Sequence, residues 1–173
     1  MYDYVFEYLG NIIKNSSLLV LGDLLPDEVK YLKSDKISVV SDNMDILMKL
    51  KENYKNINLN QSIYFIKDKF DYLIALDDLG IDYKGFLKET GSMIKVTFIS
   101  NEEDYGKLLL KTSNKNFIFR EIVNLYKKEA VLALRDFKKT EVFTESIFSS
   151  LPDVVIEFYS DIKPDIENSA LFL

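Results

Sequence analysis

Apolar and polar positions alternate between two kinds of pattern over most of the chain. Val5, Leu9, Ile12 and Ile13 recur at helical spacing, with Tyr8 alongside, and predict an amphipathic helix over 2–14. Asn15, Ser16 and Ser17 break it, and the wholly apolar run Leu18-Leu19-Val20-Leu21 ends at Gly22. Such a run suits a strand buried on both faces of a parallel sheet. Pro26, Asp27 and Glu28 open a second helix, because proline is tolerated in a first turn and acids favour the helix N-terminus; it is expected to stop near Ser34. Ile37 to Val40 predicts the second strand, closed by Ser41-Asp42-Asn43. Ile46, Leu47, Leu50 and Tyr54 then share one face of a helix over 44–54. Ile63 to Ile66 reads as a third strand, Tyr72 to Leu76 as a fourth and Met93 to Ile99 as a fifth. A helix over 83–88 precedes the fifth strand, and one running from Glu102 to Leu110, capped by Ser100 or Asn101, follows it.

The pattern changes beyond this point. Residues 117–126 and 129–137 are strand-like runs separated by Lys127-Lys128, which predicts an antiparallel hairpin with a solvated turn. Alternating strands and helices imply right-handed crossovers and a mainly parallel sheet. The expected fold is therefore α/β, Rossmann-like, with about seven strands: five parallel, a C-terminal antiparallel hairpin, and helices on both faces. Leu19, Leu21, Val39, Leu73 and Val96 belong in its core. The strand tyrosines and phenylalanines (Tyr64, Phe65, Phe98, Phe117, Phe119) read as core rather than as a stacking platform. Two segments emerge, 1–137 as the domain and 138–173 as an acidic and apolar extension. Phe143, Ile147, Phe148 and the run Val154 to Tyr159 put much apolar surface in that extension. It is expected to fold back on the domain, to add a strand to a sheet edge, or to contact a second copy or a protein partner.

Composition narrows the chemistry. With 47% apolar residues the chain is expected to fold, and its apolar runs are too short to span a bilayer. Asp3 and Glu7 stand where a secretory signal would carry basic residues, so a cytoplasmic, membrane-free protein is expected. Cysteine and histidine are both absent, which excludes disulfides, Ser-His-Asp hydrolysis and His- or Cys-held transition metals. Asp77, Asp78 and Asp82 alone make too weak a cluster for a magnesium site, and no metal is expected. The net charge is -6 and Arg120 and Arg135 are the only arginines, which argues against general nucleic-acid binding.

The order of elements, with several local phrases, resembles the class I S-adenosylmethionine-dependent methyltransferases over residues 1–137. Leu18 to Gly22 is similar to that family's first strand and glycine turn, and Val39 to Asn43 to its second strand end. Phe70 to Ala75 resembles the opening of its fourth strand, and Phe86 to Ser92 the turn before its fifth. The resemblance implies S-adenosylmethionine as cofactor, bound near Gly22, Asp23, Asp42 and Asn43, with Asp42 accepting from the ribose hydroxyls. From the residues alone, Asp42 equally suits a helix cap, and Asp23 reads more readily as a turn residue than as a ligand contact. Asp77 and Asp78 follow the fourth strand, at the sheet edge where α/β proteins bind ligands. There, with Tyr83 nearby in sequence, they are the candidate catalytic groups; the alternative is a solvated acidic loop. The sequence departs from the family pattern where Val20 replaces an acid and Leu24 and Pro26 replace glycines. Three readings stay open: a methyltransferase acting on an unidentified small molecule or protein, a methyltransferase-fold subunit without catalysis, and another Rossmann-like nucleotide binder.

Overall fold

The fold is taken from a computed structural model, which describes residues 3–110, 117–126, 151–162 and the backbone of 132–137. It divides into two compact units, residues 1–93 and 94–173. The strand order is β3-β2-β1-β4-β5-β8-β6-β7, a mixed Rossmann-like α/β sheet.

In the first unit α1 (Asp3–Ile12) precedes β1 (Ser17–Leu21), whose last four residues are buried. β1 pairs in parallel with β2 (Lys36–Val40), Val20 opposite Val39, and with β4 (Phe70–Ala75), Val20 opposite Ile74. A strand flanked on both sides and covered on both faces needs apolar residues throughout, and Leu18, Leu19 and Val20 are fully buried. The predicted core residues Leu19, Leu21, Val39, Leu73 and Val96 are all buried. α2 (Pro26–Val29) and α3 (Met44–Asn53) complete the first crossovers, and Tyr54 Oη donates to the Pro26 carbonyl at 2.7 Å. α2 is a single turn that ends well before Ser34. Its Glu28 carboxylate accepts from the Leu25 N–H at 2.8 Å, and burial holds that carboxyl above its ordinary range.

Ile63 to Ile66 is not a strand. β3 is Asn58–Asn60, parallel to β2, and Ile63–Phe65 is a 3₁₀ turn whose Ser62 side chain accepts from the Tyr64 N–H. The apolar run misled because Tyr64 (88% exposed) and Phe65 (69%) face solvent while Ile63 alone anchors the turn. Phe98 is exposed as well, whereas Phe117 is buried as expected. The helix expected over 83–88 is a 3₁₀ turn, Tyr83–Phe86, and β5 already starts at Leu87 and runs to Phe98.

In the second unit α4 (Glu102–Leu110) follows, and β6 (Phe119–Leu125) pairs antiparallel with β7 (Leu132–Phe137), as the hairpin pattern predicts. β8 (Val154–Ser160) corrects the expectation of an edge addition: it lies inside the sheet, between β5 and β6, antiparallel to β6. Its alternation of large apolar residues could not tell an edge from an interior place. Residues 138–150 and 163–173 lie outside the described residues.

One face of β6 and β8 is partly polar. Arg120 sits opposite Tyr159, and Ile122 opposite Glu157. The fully buried Arg120 guanidinium donates to Glu157 through Nε (3.0 Å) and Nη2 (2.9 Å), and through Nη2 to the Leu108 carbonyl of α4 at 2.9 Å. Tyr159 Oη donates to the same Glu157 oxygen, and burial with that neighbouring carboxylate pushes its phenol far up. Arg120 thus ties α4 to β8 through β6. Removing one member strands a buried charge, which costs roughly 3–5 kcal/mol.

Two stability measurements follow from these contacts. Arg120→Ala is expected to lower the unfolding free energy by about 3–5 kcal/mol in a denaturant titration, and replacing Arg120 and Glu157 together by Met and Leu to cost much less. In the first unit the Asp71 carboxylate accepts from the Ser17 N–H (2.8 Å) and Oγ (2.9 Å) and pairs with Lys88 at 3.1 Å. The Ser17 backbone bond, aided by Lys88, holds Asp71 below its ordinary value. Its contribution is therefore complete above the unfolded-chain value of about 3.9 and fades as pH falls through the lower folded value. Asp71→Asn should flatten that acid-side loss in pH-dependent melting curves.

Candidate functional site at the carboxyl ends of the first-unit strands

Parallel pairing brings the ends of β1, β2 and β4 to one edge, where loops follow each strand. Gly22, the first residue beyond β1, has φ of +118°, a conformation L side chains rarely adopt. A Cβ there would lie 2.8 Å from Leu76 Cβ and 3.2 Å from the Asp77 nitrogen. The backbone is drawn in from both sides. The Gly22 N–H donates to the Val40 carbonyl at 2.9 Å, and the Leu21 carbonyl accepts from the N–H groups of Leu76 (2.8 Å) and Asp77 (3.2 Å).

The loops after β1 and β2 are joined through Asp23. Ser41 Oγ donates to its Oδ1 at 2.5 Å and Asn43 Nδ2 to its Oδ2 at 3.0 Å. Ser41 Oγ also accepts from the Asn43 N–H, and Asn43 Oδ1 accepts from the Ile46 N–H as the cap of α3. Gly22, Asp23 and Asn43 therefore come together, while Asp42 is exposed and has no hydrogen bond among the described residues. The helix cap is Asn43, which leaves the Asp42 carboxylate open to a ligand. Ser41 is the contributor that sequence reasoning missed. Its signal was present, a small hydroxyl between a buried strand and an Asp-Asn pair, but the partner 18 residues upstream was not legible.

Leu24 and Pro26, which stand where the family pattern has glycines, have structural roles of their own. The Leu24 side chain is fully buried, so it packs into the core, and Pro26 opens α2, where an N–H would have had no helical partner. Beyond β4, Asp77 is exposed and Asp78 is turned back on its own loop. Asp78 Oδ1 accepts from Tyr83 Oη (2.7 Å) and from the Gly80 N–H (2.9 Å), and Tyr83 Oη accepts from the Leu79 N–H at 2.7 Å. Burial first, then the Asp78 hydrogen bond, pushes the Tyr83 phenol up to about 12. The pair orders the loop and keeps Tyr83 protonated at neutral pH. Among the described residues no cluster of three or more acidic side chains is arranged to hold a metal ion, and no helix is long and apolar enough to cross a membrane. Gly22→Ala combines a strained φ with a collision against Leu76 Cβ, and is expected to cost about 1–3 kcal/mol in chemical unfolding.

No protein-family model matches the chain, and no curated protein matches it in sequence. Solved structures do match. Ribosomal protein L11 methylase from Lactobacillus delbrueckii subsp. bulgaricus superimposes with a TM-score of 0.57 at 13% identity, covering 93% of this chain and 80% of that one. The N-methyltransferase NodS from Bradyrhizobium japonicum, in complex with S-adenosyl-L-homocysteine, gives 0.56 at 9% identity, with 94% and 86% covered. An rRNA methylase from Streptococcus thermophilus gives 0.54 at 9% identity, with 91% and 94% covered. Near-complete coverage in both directions, with the parallel strands in place and their loops gathered at one edge, shows that this chain has the Rossmann-like fold of S-adenosylmethionine-dependent methyltransferases.

Proposed function

We propose that the protein is an S-adenosylmethionine-dependent methyltransferase whose cofactor lies over the carboxyl ends of β1, β2 and β4. The observation that carries the reading is Gly22: positive φ, no room for a side chain, and loops from three strands converging on it. This is the close backbone approach that a nucleoside cofactor requires of its glycine turn. Asp42 offers an unengaged carboxylate at the end of β2 for the ribose hydroxyls, and the Asp23–Ser41–Asn43 network sets the position of the loop that carries it. Bound there, the cofactor supplies an electrophilic methyl sulfonium. Methyl transfer to a nucleophile then needs alignment more than an enzyme-bound intermediate, so a chain without histidine or cysteine can support it. Asp77, exposed beyond β4, is the group proposed to orient the nucleophile or take its proton. Asp78 and Tyr83 hold the loop that carries it. The substrate is proposed to be a small molecule or a protein.

A second reading, a methyltransferase-fold subunit without catalysis, is favoured by one observation: both oxygens of Asp23 are engaged by Ser41 and Asn43 rather than left open. The cysteine-free composition fits a reducing compartment, and the cytoplasm is the location we propose. Residues 138–173 are proposed to contact a second copy or a protein partner. Because β8 lies inside the sheet, deleting the whole segment would disturb the fold, so concentration-dependent light scattering on the full chain is the test.

Titration calorimetry with S-adenosylhomocysteine separates the catalytic and non-catalytic readings. Binding to the full chain is expected, with Asp42→Ala weakening it by about 1–3 kcal/mol through lost charge-assisted hydrogen bonds. Absence of heat at millimolar ligand would overturn the enzyme reading and leave the subunit reading standing.

A further inference from the structure

The crossover from β3 to β4 contains no α-helix. A parallel crossover ordinarily lays a helix on the sheet, whereas residues 61–69 supply only the 3₁₀ turn Ile63–Phe65. The register sets Ser38 of β2 beside Asn58 of β3, with Asn60 two residues further along the same face. These are polar residues at positions that a covered parallel strand fills with Val or Ile. Together with Phe65, Lys67 and Asp68 they line a cavity of about 250 Å³.

The polar groups of this cavity have unused capacity. Ser38 is 2% exposed; its Oγ accepts a long 3.5 Å bond from Asn58 Nδ2, and its own O–H has no acceptor among the described residues. The Asn60 carboxamide has no hydrogen bond there, and Lys67 no ion pair, while Asp68 is neutralised by Lys36 at 2.8 Å. A carboxamide presents a donor and an acceptor side by side and pairs with the edge of a nucleobase in the same way. Phe65, 69% exposed at the rim, offers a ring face for stacking, and Lys67 a cation for an anionic substituent.

We propose that this recess is a nucleotide-binding site separate from the carboxyl-edge site, with Asn58 and Asn60 reading the base, Phe65 stacking on it and Lys67 meeting the phosphate. Its volume is below the roughly 300–1,000 Å³ of pockets for drug-sized ligands, which suits one heterocycle and not a whole sulfonium cofactor. The side chains of the recess are distinct from those of the Gly22–Asp42 edge, although the two adjoin where the Asn60 carbonyl accepts from the Ser41 N–H at 3.1 Å.

Calorimetry on the full chain with AMP as the probe tests it. AMP is expected to bind, and Asn58→Leu and Phe65→Ala each to weaken it about tenfold or more. Adenosine should bind more weakly than AMP, by a margin that Lys67→Ala removes, and Asp42→Ala should leave AMP binding unchanged. Phe65 projects into solvent, so its replacement reads binding without unfolding the protein. No heat with millimolar AMP overturns the proposal. So does binding that is lost in Asp42→Ala and indifferent to Asn58 and Phe65, which would place the nucleotide at the carboxyl edge. Failure of S-adenosylhomocysteine to bind bears on the enzyme reading alone.

Discussion

The parallel pairing of β1 with β2 on one side and β4 on the other is the constraint from which the candidate site follows. Parallel strands point their carboxyl ends the same way, so the three loops that follow them meet at one edge. β1 is in the middle and must bury both faces, which is why Leu18 to Leu21 carries no polar side chain. With the strand immobilised, the Leu21 carbonyl receives two N–H groups from the β4 loop and Gly22 is driven to positive φ against Leu76 and Asp77. The same alignment lets Asp23 reach Ser41 and Asn43 across the gap between two strand ends.

The second unit solves a different problem. On the antiparallel β6–β8 pair, Arg120, Asn124, Glu157 and Tyr159 are buried among apolar neighbours. Arg120 makes that arrangement tolerable by meeting Glu157 and the Leu108 carbonyl together, so the cost of burying two charges is offset by near-complete hydrogen bonding. Asn124 shows the limit of that satisfaction. Its Nδ2 donates to Tyr105, and its buried Oδ1 has no partner among the described residues. Cationic and anionic side chains at those positions admit few alternative registers of β8 on β6. A one-residue slip would move Glu157 to the other face.

Function and scaffold also pull apart at the loop after β4. Asp77 and Asp78 are neighbours in sequence with different surroundings. Asp78 is held by Tyr83 and the Gly80 N–H, while Asp77 stays exposed beside Gly22. Their identical chemistry is divided by hydrogen bonding: one carboxylate shapes the loop and the other stays exposed.

Periodicity alone determined the α/β class, β1, β2, β4, the β6–β7 hairpin and the core positions Leu19, Leu21, Val39, Leu73 and Val96, because these segments are buried in ways that force either a continuous apolar run or a strict face. Gly22, Asp23, Asp42 and Asn43 were marked by the resemblance to the methyltransferase family rather than by periodicity, since a polar residue after a strand equally suits a turn or a helix cap. Tertiary structure decided the rest. Ile63 to Ile66 carries strand-like residues, yet Ser62 caps a turn there and exposes Tyr64 and Phe65, a local competition that hydropathy does not register. Val154 to Tyr159 reads as a strand either way, and only pairing with β6 places it inside the sheet. The Arg120–Glu157 pair spans 37 residues and the Ser41–Asp23 bond 18, separations at which a sequence shows the two partners but not their meeting. Local pattern is set by which faces are buried; the long-range polar contacts exist only once the strand register has brought their side chains to the same place.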